Sequence, residues 1–178
     1  MPAVANEDLV TRTGFSFHVR HATPSDEDTV AEFFKHVTPE DMRFRFLSSM
    51  KTLSHERLLE MTRIDDPFVV NFLAMAPDKT VVAVATLAAG EDPGRGEVAV
   101  TIRDDYKLRG LGWEMLAHMC RYAEQHGFES VESLESRENH AAINLERDMQ
   151  FKAYDDEDDP SVVILRRDLA SIPASAAA

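Results

Sequence analysis

A short glycine-rich segment in the second half of the chain has the residue types that bind a phosphate. It reads Lys107-Leu108-Arg109-Gly110-Leu111-Gly112 and continues directly into an apolar, helix-like stretch over residues 113–126. Glycine lets backbone amides come close to an anion, and the positive N-terminal end of the helix points at the same place. The segment indicates an anion site, although by itself it is equally typical of a tight strand-to-helix turn without a ligand.

The elements around this segment predict a strand-helix-strand unit. Residues 97–103 alternate apolar and polar side chains, as a half-buried strand does, and they lead into the glycine-rich segment. A strand over residues 128–135, a helix over 139–149 and a strand over 162–166 follow the long helix. Such an order favours a right-handed parallel crossover.

The first half of the chain adds a strand, three helices and a hairpin. Residues 15–22 alternate as a strand does, and capping signals at Thr23, Thr38 and Ser54 each begin a helix. The apolar, β-branched stretches 68–75 and 81–89 predict the hairpin. We therefore expect an α/β domain with a mixed central sheet.

Domain boundaries follow from the same pattern. We expect one domain over residues 15–168, a flexible N-terminus over 1–14 and a flexible C-terminal tail over 169–178.

The composition excludes several classes of function. The chain has 178 residues and a formal net charge of −13, which argues against non-specific binding to nucleic acid or anionic membranes. No apolar run is long enough to span a membrane, so we expect a cytoplasmic protein. The single cysteine, Cys120, lies in an apolar helical pattern and is interpreted as a core residue. The seven histidines show no metal-ligand spacing, so no metal is expected.

Two motifs resemble the GNAT superfamily of acyl-CoA-dependent N-acetyltransferases. Residues 107–112 are similar to the family's phosphate-binding pattern, Gln or Arg, two residues, Gly, one residue, Gly or Ala, with lysine in the first position. Residues 139–151 resemble Asn-x-x-Ala-Ile-x-Leu-Tyr-x-x-x-Gly-Phe, with Glu146 in the tyrosine position and Gln150 in place of glycine. The resemblance implies the GNAT fold, a mixed, mostly antiparallel sheet of about six to seven strands flanked by helices.

The same resemblance implies an activity. The co-substrate would be acetyl-CoA, without a metal, and the acetyl group would pass to a primary amine by direct attack in a ternary complex. Segments between residues 24 and 65 are similar to bacterial protein lysine acetyltransferases, which makes a protein lysine the first expected acceptor. A small-molecule amine and a catalytically silent acyl-CoA sensor or regulatory module stay open as alternatives, and a homodimer is compatible with the fold.

The resemblance also assigns site residues. The backbone near Val100 and Ile102 would bind the pantetheine arm, and Asn139 would contact it or cap a helix. The pyrophosphate would lie on the amides of residues 108–113, with charge from two side chains. The expected cofactor-binding set is Val100, Ile102, Lys107, Leu108, Arg109, Gly110, Leu111, Gly112, Trp113 and Asn139.

A base is expected for the acceptor amine. Deprotonating a lysine of pKa near 10.4 at about pH 7 costs roughly 4–5 kcal/mol. Glu97 is the first candidate for this general base, acting directly or through a water molecule, because the protein-acetylating subgroup has a glutamate early in the same strand. Glu135, at the end of the next strand, is the reserve candidate, and an exposed strand-start glutamate without a catalytic role is the alternative for Glu97.

Overall fold

A computed structural model describes residues 6–50 and 52–170. Eight strands form one sheet in the order β1-β2-β3-β4-β5-β6-β8-β7. The strands are β1 Asn6–Val10, β2 Ser16–His21, β3 Val69–Met75, β4 Val81–Ala89, β5 Arg95–Ile102, β6 Ser130–Ser136, β7 Lys152–Asp155 and β8 Val162–Asp168.

Within the described ranges five α-helices accompany the sheet, and most begin at capping residues expected from the sequence. Thr38 and Ser54 accept hydrogen bonds from the backbone amides of Asp41 and Arg57, as N-caps do. Thr23 and Pro24 begin a short 3-10 turn that leads into the first helix. The helices are α1 Glu27–Lys35, α2 Pro39–Phe46, α3 His55–Thr62, α4 Leu111–Gln125 and α5 His140–Asp148.

One strand pair sets the shape of the molecule. All neighbouring strands run antiparallel except β5 and β6, which are parallel and pair only from Arg95 to Glu97 on one side and from Ser130 to Glu132 on the other. After these three residues of β5 the two strands separate. Because α4 connects them, the separation opens next to the N-terminal end of that helix.

Helices cover both faces of the sheet. Met115 and Met119 of α4 are fully buried in one apolar cluster, whereas Val30 and Phe33 of α1 belong to a second cluster. Cys120 lies in the first cluster, as expected of a core residue, and burial raises the pKa of its thiol to about 11. Within residues 6–50 and 52–170 no helix is long and apolar enough to cross a membrane.

Two edge strands were not predicted. Asn6–Val10, within the expected flexible terminus over residues 1–14, instead form β1, which pairs with β2 along its whole length. Lys152–Asp155 form β7 on β8, and the acidic residues after it lie in a largely exposed loop. Each edge strand has a single neighbour and little buried surface, so its side chains carry no periodic signal. Of the tail expected over residues 169–178, residues 171–178 lie outside the described residues.

Candidate active site

A cavity of about 460 Å³ lies where β5 and β6 separate. Residues 97–102 of β5 form one wall, and Leu134 and Glu135 of β6 form the facing wall. The glycine-rich segment closes one end, α2 contributes Phe44 and Arg45, and α5 contributes Glu146. The cavity therefore connects the expected phosphate loop to the candidate carboxylates.

The phosphate loop has an unusual backbone. Leu108 and Gly110 both adopt positive φ angles, 61° and 84°, and Gly110 is the N-cap of α4. Gly110 has no side chain with which to cap this helix, so the amides of its first turn are available to a ligand. The Leu108 side chain is fully exposed, as expected for a residue that contributes backbone rather than packing.

The turn between β1 and β2 supports this loop from behind. The Thr13 hydroxyl donates a hydrogen bond of 2.7 Å to the Arg109 carbonyl. A Cβ atom added at Gly110 would lie 3.2 Å from the Thr11 Cβ, which is a tight contact. The sequence predicted a flexible terminus here and did not indicate that these residues support the phosphate loop.

The cations near the loop are arranged differently from the expectation. Lys107 lines the cavity, but its ammonium forms an ion pair with Asp41 and lies 3.8 Å from an Asp104 carboxylate oxygen. Arg109 is not among the lining residues, because its guanidinium lies 4.6 Å from the centre of the Tyr106 ring. Arg12, to which the sequence assigned no role, lies 4.3 Å from the centre of the Trp113 ring and brings a positive charge to the loop.

Glu97 lies on the β5 wall at the last residue of the parallel pairing. Its side chain reaches solvent, yet partial burial by the cavity walls raises the pKa of its carboxyl, and the charge of Glu132 raises it further. Arg45 acts in the opposite direction. The direction of the net shift is the one that makes a carboxylate a stronger base.

Glu135 and Glu146 form a carboxyl pair in the interior of the site. The Asn139 amide donates a hydrogen bond of 3.0 Å to Glu135, and the Ser133 hydroxyl donates one of 2.7 Å to Glu146. Glu146 is only 5% exposed. Burial raises the pKa of both carboxyls, and in Glu146 the charge of Glu135 adds to bring it to about 8.

The position of Asn139 is compatible with both roles that the sequence left open, a cap of α5 and a contact to the cofactor. Its side-chain oxygen accepts from the Ala142 amide at 3.4 Å, which caps α5, and the residue also lines the cavity. Val100, Ile102 and Trp113 line it as well.

Arg45 is one of the lining residues to which the sequence assigned no role. It lies one helical turn after Asp41, so both face the cavity from α2. Its guanidinium is 3.4 Å from the Thr86 hydroxyl, burial lowers its pKa, and the charges of Glu97 and Glu135 oppose that effect. The spacing of Asp41 and Arg45 was the available signal, since it places both on one helix face.

Comparison with known proteins agrees with this geometry. The sequence pattern of the Acetyltransferase (GNAT) family matches residues 32–151. The chain belongs to this family. It is 30% identical over 151 residues to acetyltransferase PA5475 of Pseudomonas aeruginosa, covering 83% of this chain and 81% of that protein. The protein is accordingly an acyl-CoA-dependent N-acetyltransferase.

Solved structures share the fold. The GNAT domain of S. lividans PAT superposes with a TM-score of 0.87 at 23% identity, covering 95% of this chain and 99% of that one. The ribosomal-protein-S18-alanine N-acetyltransferase of Escherichia coli superposes with a TM-score of 0.67 at 15% identity, covering 89% and 97%. The predicted GNAT fold is confirmed, with eight strands rather than six or seven.

Proposed function

We propose that the cavity binds acetyl-CoA and that the protein transfers the acetyl group to the side-chain amine of a protein lysine by direct attack. The observation that supports this most is the separation of β5 from β6 beyond Glu97, between the phosphate loop and the carboxylates. From Glu97 to Ile102 the strand spans about 17 Å, a length suited to an extended pantetheine arm. The thioester would then lie beside Glu97 when the pyrophosphate lies on residues 108–113.

The backbone of β5 is the expected partner of the pantetheine amides. Beyond Glu97 no described strand pairs with the β6-facing edge of β5, so its backbone groups are available to a ligand in the stretch that contains Val100 and Ile102. Arg12 adds positive charge near the pyrophosphate, and Asn139 contacts the arm from the start of α5. Lys107 lies at the same end of the cavity, where the pyrophosphate would compete with Asp41 for its ammonium. Arg109 contributes its backbone, because its side chain lies against Tyr106.

Glu97 is the proposed general base, directly or through one water molecule. It accepts a proton from the incoming ammonium, and the neutral amine attacks the thioester carbon. The burial that raises its pKa also improves the match to a neutral operating pH. Glu135 is the reserve base.

Two properties support a lysine acceptor. The net charge of −13 attracts cationic segments of a protein partner. Phe44 and Leu47 of the α2 region line the cavity and offer apolar contact to a lysine's methylene groups. The similarity of the N-terminal half to lysine acetyltransferases agrees with both.

A small amine that also carries a carboxylate is the second candidate acceptor. Arg45 favours it, because its guanidinium lines the cavity without a described ion pair and would attract an anionic group. The same charge disfavours a lysine ammonium at that end of the cavity.

Calorimetric titration with acetyl-CoA, followed by an acceptor screen, tests the proposal. We expect binding in the micromolar range and release of free CoA with lysine peptides, detected with a thiol reagent, together with an acetyl mass increase on the lysine. Release with amino acids but not with peptides would replace the lysine acceptor by the second candidate. No binding at millimolar acetyl-CoA would overturn the assignment of the cavity.

A further inference from the structure

Glu135 and Glu146 place two carboxyls close together in the interior of the site, an arrangement that favours a shared proton. Each carboxyl accepts a hydrogen bond from a different neighbour, Asn139 and Ser133 respectively. Ser133 and Glu135 lie two residues apart on the same face of β6, so the bond from Ser133 holds the Glu146 carboxyl close to that of Glu135. Carboxylates in such contact do not both ionise at neutral pH, because their repulsion in a poorly solvated place is large. One proton therefore stays on the pair.

The surroundings of the pair keep that proton in place. Among the described residues, the charged group that acts on the pair from outside is Arg45 of α2, which favours the ionised form of Glu135. Burial and the charge of Glu135 favour the neutral form of Glu146. The result is a division of roles, with an anionic Glu135 and a protonated Glu146.

Both carboxyls lie at the cavity in which the leaving thiolate would form. Both residues line the cavity, and Glu135 lies at the end of β6 across the opening from β5. We propose that the Glu135–Glu146 pair is the proton donor to the departing CoA thiolate, with Glu146 as the acid and Glu135 as the residue that keeps it protonated. This inference rests on the proposed function.

Bonds and protons are both accounted for in this step. The amine nitrogen forms a bond to the thioester carbon, the C–S bond breaks, and its electron pair goes to sulfur. Sulfur takes the proton of the pair and leaves as the thiol. Glu97 first passes the proton of the ammonium to solvent, then takes the excess proton of the amide nitrogen and releases it in turn. The dianionic pair then regains one proton from solvent, so the net reaction forms an amide, a free thiol and one released proton.

The pKa of Glu146 is close to that of the leaving thiol. A thiol has a pKa near 8.5, and an acid whose pKa lies close to this value transfers its proton with little free-energy loss. A lone glutamate, ionised at neutral pH, would have no proton to give. Burial, together with the second carboxyl, explains how a glutamate in the position where the family pattern has a tyrosine can hold a proton.

The test compares pH profiles of kcat in four variants. In the wild-type protein we expect kcat to fall as pH rises through the pKa of the pair. Glu146→Gln keeps the size of the side chain but has no titrating proton, so kcat should drop roughly 10- to 100-fold and the alkaline decline should disappear. The KM for acetyl-CoA should stay within about twofold.

Two further variants separate acid chemistry from packing. Glu135→Gln removes the charge that keeps Glu146 protonated, so the alkaline decline should move to lower pH. Glu146→Tyr should restore part of the rate, with the decline moved towards the tyrosine pKa of about 10. Asp148→Asn, which neutralises an exposed carboxylate on the same helix, is the matched control and should leave the profile unchanged.

The possible results are distinct. A Glu146→Gln variant with the wild-type rate and profile would overturn the donor role while leaving acetyl transfer intact, as would an unshifted Glu135→Gln profile. If Glu146→Gln fails to fold, the Glu135→Gln shift decides. A wild-type protein that binds acetyl-CoA but releases no CoA would overturn the proposed function, and the donor role with it.

Discussion

The three glutamates of the cavity have the same side chain but different surroundings, and the surroundings raise the pKa of each carboxyl by a different combination of causes. Glu97 reaches solvent beside a repelling carboxylate and an attracting guanidinium, whereas Glu146 is enclosed beside Glu135. The resemblance to the protein-acetylating subgroup made Glu97, early in its strand, the first candidate base, and Glu135, at the end of the next strand, was the reserve. It did not predict the contact between Glu135 and Glu146, because one lies on a strand and the other on a later helix, and only the packing of α5 brings them together.

Replacement of Glu97 tests the base at this scale. Glu97→Gln should lower kcat by about 10²- to 10⁴-fold, because the amide cannot take the amine's proton. In the wild-type protein kcat should fall as pH drops through the raised pKa of Glu97, and the variant should lack this acid limb. Steady-state kinetics from about pH 5 to 9 measure both.

The exposed Glu91 provides the control for that experiment. Glu91→Gln removes a carboxylate from the loop before β5 and should leave kcat unchanged. Full activity in Glu97→Gln, with acetyl-CoA affinity retained, would exclude Glu97 and direct attention to Glu135.

At the scale of elements, the site depends on where two strands stop pairing. The periodicity of the sequence located β5, α4, β6 and α5 to within a few residues. The order of these elements predicted the parallel crossover between β5 and β6. The three-residue length of the parallel contact was beyond sequence reasoning, because side-chain alternation continues along β5 after its partner has left. The same limit applies to β1 and β7, whose exposed residues have no buried face to mark them.

The two ends of α4 offer a matched test of the phosphate loop. Gly110 precedes the helix with φ 84°, and Gly127 follows it with φ 83°, but an added Cβ contacts Thr11 only at Gly110. Replacement of either by alanine should lower the free energy of unfolding by about 1 kcal/mol through backbone strain. Only Gly110→Ala should also weaken acetyl-CoA binding, by about tenfold or ~1.4 kcal/mol.

Thermal denaturation and calorimetric titration of both variants check this. Equal loss of acetyl-CoA affinity in Gly127→Ala would mean that the loop geometry is not specific to binding. Unchanged affinity in Gly110→Ala would place the pyrophosphate elsewhere.

For the whole molecule, the carboxyl pair links activity to stability. Glu146 has a pKa near 8 in the folded protein and an ordinary value of 4.5 otherwise. The folded state therefore binds this proton more tightly than the unfolded state, and its stabilising effect is lost as pH rises from about 4.5 to about 8. The composition predicted an acidic globular domain, but no count of charges shows which carboxyl is held neutral.

Glu146→Gln should accordingly stabilise the protein while lowering its kcat. We expect the free energy of unfolding at about pH 8 to rise by on the order of 2 kcal/mol, which corresponds to about 4–8 °C in Tm, with little gain at about pH 5. Thermal melts at both pH values provide the measurement. Asp148→Asn should show no such pH-dependent gain, and an equal gain at both pH values in Glu146→Gln would contradict the explanation.

The support that the β1–β2 turn gives to the phosphate loop makes the first strand part of the cofactor site. The Thr13 hydrogen bond and the contact at Thr11 mean that fixing the loop also fixes the turn. Such coupling is reciprocal, so a bound CoA should slow amide hydrogen exchange in the β1–β2 hairpin as well as at α4. By the same reasoning, removal of the N-terminal strand would weaken binding although none of its residues belongs to the family's phosphate motif.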